Sequence, residues 1–203
     1  MKLNKNTIKI VIMALSIVFI TAFVYAYQNN FKLIGQQQKS IMSSNNNIVV
    51  ARINGYEITK NTFDEYKLLS GNSRSDQELL NQIIERHLLY QEATKKNISI
   101  SNEQIEKALQ ESKYTLNRAP ELYKKMLQYW EGLGMTEDQY WEYTKPVYEK
   151  SLMCGEYKDQ LKSNYKATSK IKDTKQLNDA FDQYFKDFIA DLKKQSAIEI
   201  FIN

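Results

Sequence analysis

Histidine and cysteine are nearly missing from this chain. One His and one Cys in 203 residues exclude a disulfide framework and any ordinary zinc site. Two prolines and six glycines are too few for an all-β sandwich or a glycine-rich phosphate-binding fold. No Walker-type loop, GxGxxG or CxxC occurs. Clustered positive charge is also lacking. Lys plus Arg is 28 and Asp plus Glu is 24, but Lys2, Lys5 and Lys9 lie in an acid-free N-terminal stretch. The remainder carries 25 minus 24, or +1. A phosphate track needs a basic patch, so nucleic acid is excluded as the main partner. The chain does have 42% apolar residues, enough for the core of one mostly helical domain with an N-terminal appendage.

Ile10 to Tyr27 is an uncharged apolar run. As a helix it would reach about 27 Å, close to a bilayer core. The three preceding lysines keep the N-terminus in the cytoplasm and send the remainder of the chain across the membrane. Two readings fit residues 1–27: a signal anchor retained as a single span, or a signal peptide cut after Ala26, with Val24 and Ala26 at the two key positions. Either makes the body extracytoplasmic, membrane-anchored in the first case and secreted in the second. Residues 28–47 are polar and of low complexity, and are expected to be a flexible linker that lets the body stand off the membrane.

The body, residues 48–203, opens with IVVARINGYEIT, an alternating pattern with a two-residue turn signal at Asn54-Gly55. Helices are expected from a Thr59 or Asn61 cap through Phe63, Tyr66, Leu68 and Leu69, over Asp76–Lys96, from Ser101 with a Ser101/Gln104 capping box, from Pro120 to Gly132, from Thr136 with a Thr136/Gln139 capping box, and from Asp173 or Thr174. Pro146 predicts a kink or break, and Lys162 to Lys172 reads as a polar connection. The chain closes with AIEIFI, a short strand. Two lone strands at opposite ends would leave their backbone groups unpaired, so residues 48–54 are expected to pair with residues 197–202.

These residues resemble a known pattern. VARINGYEIT, then LLNQIIERHLLYQEATKKNISISNEQIEKAL, then GLGMTEDQYWE followed by Pro146, and the closing QSAIEIFIN are similar to the N-terminal chaperone domain of the SurA/PrsA family of extracytoplasmic foldases. The resemblance implies a helical domain closed by a small sheet, binding unfolded or partly folded exported polypeptides. Many members carry a parvulin-type prolyl isomerase domain of about a hundred residues before the last strand. Here about 35 residues separate Leu161 from Ala197, and the only histidine is His87. The isomerase domain is therefore expected to be absent.

Other chemistry finds little support. His87 lies near the apolar face of its helix, and Cys154 sits in Leu-Met-Cys-Gly, the setting of a small buried residue. Asp64-Glu65 and Glu137-Asp138 fall in first turns, where carboxylates complement the helix dipole. No catalytic residue, metal or cofactor is expected. Tyr and Trp, by contrast, are concentrated: residues 123–165 hold nine of the chain's 24 aromatics and no Phe. Rings with polar tips suit transient interfaces, and methionines add adaptable surface. Met126, Tyr129, Trp130, Met135, Tyr140 and Trp141 are the expected lining of a peptide-binding groove. The alternatives are a dedicated envelope adaptor with one partner and a residual peptidyl-prolyl isomerase.

Overall fold

Asn54 and Gly55 both adopt positive φ, 50° and 85°, the geometry of a two-residue hairpin turn. They join β1 (Val49–Ile53) to β2 (Tyr56–Thr59). The computed structural model describes residues 30–44, 46–71 and 74–202, so the expected anchor or signal peptide over 1–27 lies outside the described residues. Among the described residues no helix is long and apolar enough to cross a membrane.

β3 (Ile198–Ile200) lies antiparallel to β1, with Ala51 opposite Ile200 and Ile53 opposite Ile198. The sheet order is β2-β1-β3, so the expected pairing of the two ends of the body holds. Asn54 fastens the join: its N–H donates to the Ala197 carbonyl at 2.8 Å, and its Oδ1 accepts from the Ala197 N–H at 3.0 Å.

Seven helices are described: α1 (Phe31–Ser43), α2 (Lys60–Leu69), α3 (Asp76–Lys95), α4 (Asn102–Asn117), α5 (Pro120–Leu133), α6 (Glu137–Thr168) and α7 (Thr174–Gln195). Their starts follow local chemistry. Ser101/Gln104 and Thr136/Gln139 form the expected capping boxes, and Ser75/Glu78 forms a third at α3. Asn97, at φ 56°, turns the chain out of α3.

Three expectations are corrected. Residues 31–43 are not a flexible spacer: Phe31, Ile34, Gly35 and Gln38 make a buried stripe at i, i+3, i+4 and i+7, the spacing of one helix face. The helix gains its stability by docking, which composition alone does not register. α6 runs through Pro146 unbroken for 32 residues, about 48 Å. Pro146 and Glu142 are both exposed, so the carbonyl that Pro146 cannot serve lies on the solvent side. The polar connection shrinks to 169–173, because α6 continues to Thr168.

The core has three parts. Val50, Ala51, Ile53 and Ile58 of the sheet pack on Phe63 of α2 and on Leu79, Leu80, Ile83, Ile84 and Leu88 of α3. A second cluster joins α1, α4, α5 and α6. A third, smaller one joins Ala93 and Ile98 to Met153 and Tyr157 of α6. Between Leu161 and Ala197 stand the end of α6, the short connection and α7.

Candidate functional site

The six residues expected to line a groove are brought together on α5, the following turn and the start of α6. Trp130 contacts Tyr140 at 5.7 Å and Trp141 at 6.4 Å between ring centres, and Tyr140 meets Trp141 at 5.4 Å. Tyr129 and Tyr140 pack edge to face at 5.9 Å. The rings do not line an open trough. Met126, Tyr129, Trp130 and Trp141 are 2–6% exposed, and Met135 and Tyr140 are partly buried against them. The expected open groove is corrected to a closed cluster, and the reason is α1, which lies across α5.

The crossing of α1 and α5 is unusually close. A Cβ on Gly35 would come within 3.0 Å of the Tyr129 carbonyl oxygen, the Leu133 nitrogen and the Gly132 carbon, and one on Gly132 within 3.0 Å of the Lys32 carbonyl. Glycine at both positions lets backbone meet backbone. One turn on, Gln38 is 2% exposed. Its Oε1 accepts from the Tyr129 hydroxyl, and its Nε2 donates to Glu65 Oε1 at 2.6 Å. The same oxygen accepts from the Tyr143 hydroxyl at 3.0 Å. At the rim Lys32 pairs with Glu131.

Burial holds these phenols neutral. It pushes Tyr129 well above the usual tyrosine value, with the Tyr140 ring and Glu65 adding to the shift. Burial and then Glu65 push Tyr143 up to about 12. They act as hydrogen-bond donors, not as acids. One donor is unserved: the buried Trp130 indole N–H has no acceptor among the described residues. Such a group costs about 1–3 kcal/mol and is rare in a core built only for packing.

Gln38, Glu65 and the two glycines were not among the expected site residues. The stripe Phe31, Ile34, Gly35, Gln38 was the one available signal, and the surrounding glutamines concealed it.

A cleft of about 680 Å³ opens on the other side, between the hairpin turn, α3, Lys150 of α6 and the end of α7. His87 stacks on Tyr56 there, 3.9 Å between ring centres, and Tyr90 lies at 6.4 Å. Burial, and then the positive charge of Lys150, lower the His87 pKa. The unfolded chain therefore takes this proton first as pH falls. The stability contributed by neutral His87 is present above about 6.5 and is lost progressively as pH drops through the lower folded value. A proton NMR titration of this sole histidine is expected to give a midpoint below 6.5. His87→Gln should flatten part of the acid limb of the stability curve. A midpoint at or above 6.5 would place a compensating anion in the cleft.

Cys154 is buried, its thiol 3.9 Å from the Arg86 carbonyl. Burial pushes it up to about 11, the opposite direction from an activated thiolate. Asp64 pairs with Lys60 at 2.6 Å. Glu137 accepts from the Tyr123 hydroxyl at 2.8 Å and the Trp141 indole at 3.2 Å. These carboxylates serve structural partners. Among the described residues no group of His, Cys, Asp and Glu is placed to hold a metal ion.

A family model described as the SurA-like N-terminal domain matches residues 1–146. The match ends at Pro146, inside α6. No curated protein and no solved structure is found to be similar to the chain.

Proposed function

The chain belongs to the SurA-like N-terminal domain family, and from that premise we propose that it binds unfolded or partly folded exported polypeptides as a chaperone-type module, without prolyl isomerase activity. In this reading the module works outside the cytoplasm. The N-terminal apolar run holds it at the membrane, or the body is secreted if that run is cut after Ala26.

The observation that carries the reading is the Tyr-, Trp- and Met-rich face of α5 and α6. Met126, Tyr129, Trp130, Met135, Tyr140 and Trp141 are its client-binding residues, reached only when the closed cluster opens. The face already holds an amphipathic apolar segment, α1, through side chains with polar tips. The unserved Trp130 N–H lies sealed inside the cluster, so a client's backbone carbonyl satisfies it only once the cluster opens.

Light scattering of a reduced, unfolded client diluted into buffer tests this directly. A several-fold excess of the full chain is expected to suppress aggregation. Unchanged scattering at that excess rejects the reading.

A second reading, a dedicated adaptor for one envelope partner, is favoured by the closure of the aromatic cluster, since a sealed face suits one matched partner better than many. It predicts a single saturable partner in crosslinking and little affinity for generic unfolded chains.

A further inference from the structure

α1 is attached on one side only. Phe31, Ile34, Gly35 and Gln38 face inward, while Lys32, Leu33, Gln36, Gln37, Lys39 and Ser40 are exposed. A 13-residue helix with an internal glycine is too short to persist alone in water. Folding and docking of α1 are therefore one event, and its stability comes from what α5 and α2 offer. At its end Asn61 Nδ2 donates to the Ser44 carbonyl at 2.5 Å and Asn61 Oδ1 accepts from the Ser44 hydroxyl at 2.7 Å.

We infer that the face of α5 beneath α1 is a helix-receiving groove whose ligand class is an amphipathic helix with a glycine at the crossing, and that α1 is its resident intramolecular occupant. The contacts define the ligand. Backbone approach at Gly132 and at the Tyr129 carbonyl admits no side chain at the crossing residue. Apolar residues four and one positions before it fill the sites of Phe31 and Ile34, each at most 2% exposed. An amide three positions after it takes the place of Gln38, accepting from Tyr129 and donating to Glu65. A tethered occupant competes at an effective concentration on the order of mM. It weakens every outside ligand by the inverse of the fraction of time the groove stands empty. The inference rests on the polypeptide-binding reading only for its consequence: apolar helical segments of non-native chains bind when α1 lifts.

The probe is a fluorescent peptide of residues 30–44, with a Gly35→Leu copy as control. Gly35→Leu in the full chain blocks docking of its own α1. That variant is expected to bind the native peptide at least tenfold more tightly than the unaltered chain does, and the Leu peptide at least tenfold more weakly than the native one. Equal binding by both chains overturns the inference.

A lock guards against misfolding of that variant. In a Cys154→Ser background, Lys32→Cys and Glu131→Cys are joined by a short bis-maleimide. Peptide binding should then vanish, and should be retained in the same chain left uncoupled. Binding unaffected by the lock overturns the inference, as does an unaltered chain that runs as a dimer exchanging α1.

The locked chain also separates the two claims. Suppression of client aggregation undiminished by the lock removes the groove as a client site and leaves the chaperone reading standing. Peptide binding as expected, with no suppression by either form, sustains the groove and rejects the chaperone reading.

Discussion

Gly132→Ala is expected to destabilise the protein by about 2–4 kcal/mol, although alanine is the better helix former by about 1 kcal/mol. The two effects oppose each other because Gly132 stands inside α5 and beneath α1. An added methyl would sit within 3.0 Å of the Lys32 backbone carbonyl, which cannot swing aside as a flexible side chain could. α1 must lift or shift. Phe31 and Ile34, at 1% and 2% exposure, then return to water at about 1.5–3 kcal/mol each. The Gln38 hydrogen bonds to Tyr129 and Glu65 are lost with them. The propensity gain offsets only part of this. Thermal unfolding should show a Tm lower by roughly 5–10 °C, and amide exchange should accelerate across residues 31–43 while α3 keeps its protection. A Tm that rises would mean that propensity outweighs the crossing and that α1 is not seated as described.

Truncation after Ser196 is expected to cost about 3–5 kcal/mol, on the scale of about 1 kcal/mol for each net hydrogen bond and comparable losses from apolar exposure. β1 is the central strand, with Val50, Ala51 and Ile53 fully buried. Removing β3 leaves one side of that strand without its ladder. It also removes the Ala197 bonds to Asn54 and the 3.0 Å bond from the Phe201 N–H to the Val50 carbonyl. Ile198 and Ile202 no longer cover the sheet cluster. The bared edge of β1 is a template for pairing with another chain, so loss of Tm by roughly 10 °C should come with concentration-dependent association in sedimentation. A truncated chain that melts at the original temperature as a monomer would show that β3 is ornamental.

Much of the scaffold was legible in the residue order. Asn54-Gly55 announced its hairpin because few residues tolerate two successive positive φ angles. Ser101/Gln104 and Thr136/Gln139 announced helix starts, because a side chain three residues away is what the first free N–H groups require. The pairing of the two ends of the body followed from the cost of leaving strand groups unpaired. The site was less legible. Its aromatic members stood out in composition, but their packing into a closed cluster depended on a helix hidden in a glutamine-rich stretch. That stretch has only two large buried apolar side chains, Phe31 and Ile34, too few to signal a helix without its partner surface. Pro146 misled in the other direction, since a long helix with an exposed proline absorbs one missing hydrogen bond.

Local order, then, determined what each segment can do by itself: where turns fall, where helices begin and which faces are apolar. Those properties depend on neighbours a few positions away. Only the tertiary structure decided that α1 is ordered, that Gly35 and Gly132 meet, that Gln38 joins Tyr129 to Glu65 across 91 and 27 positions of sequence, and that the aromatic face is filled. Those are relations between segments far apart in the chain. Their energy comes from excluding water between two surfaces, and neither surface carries it alone.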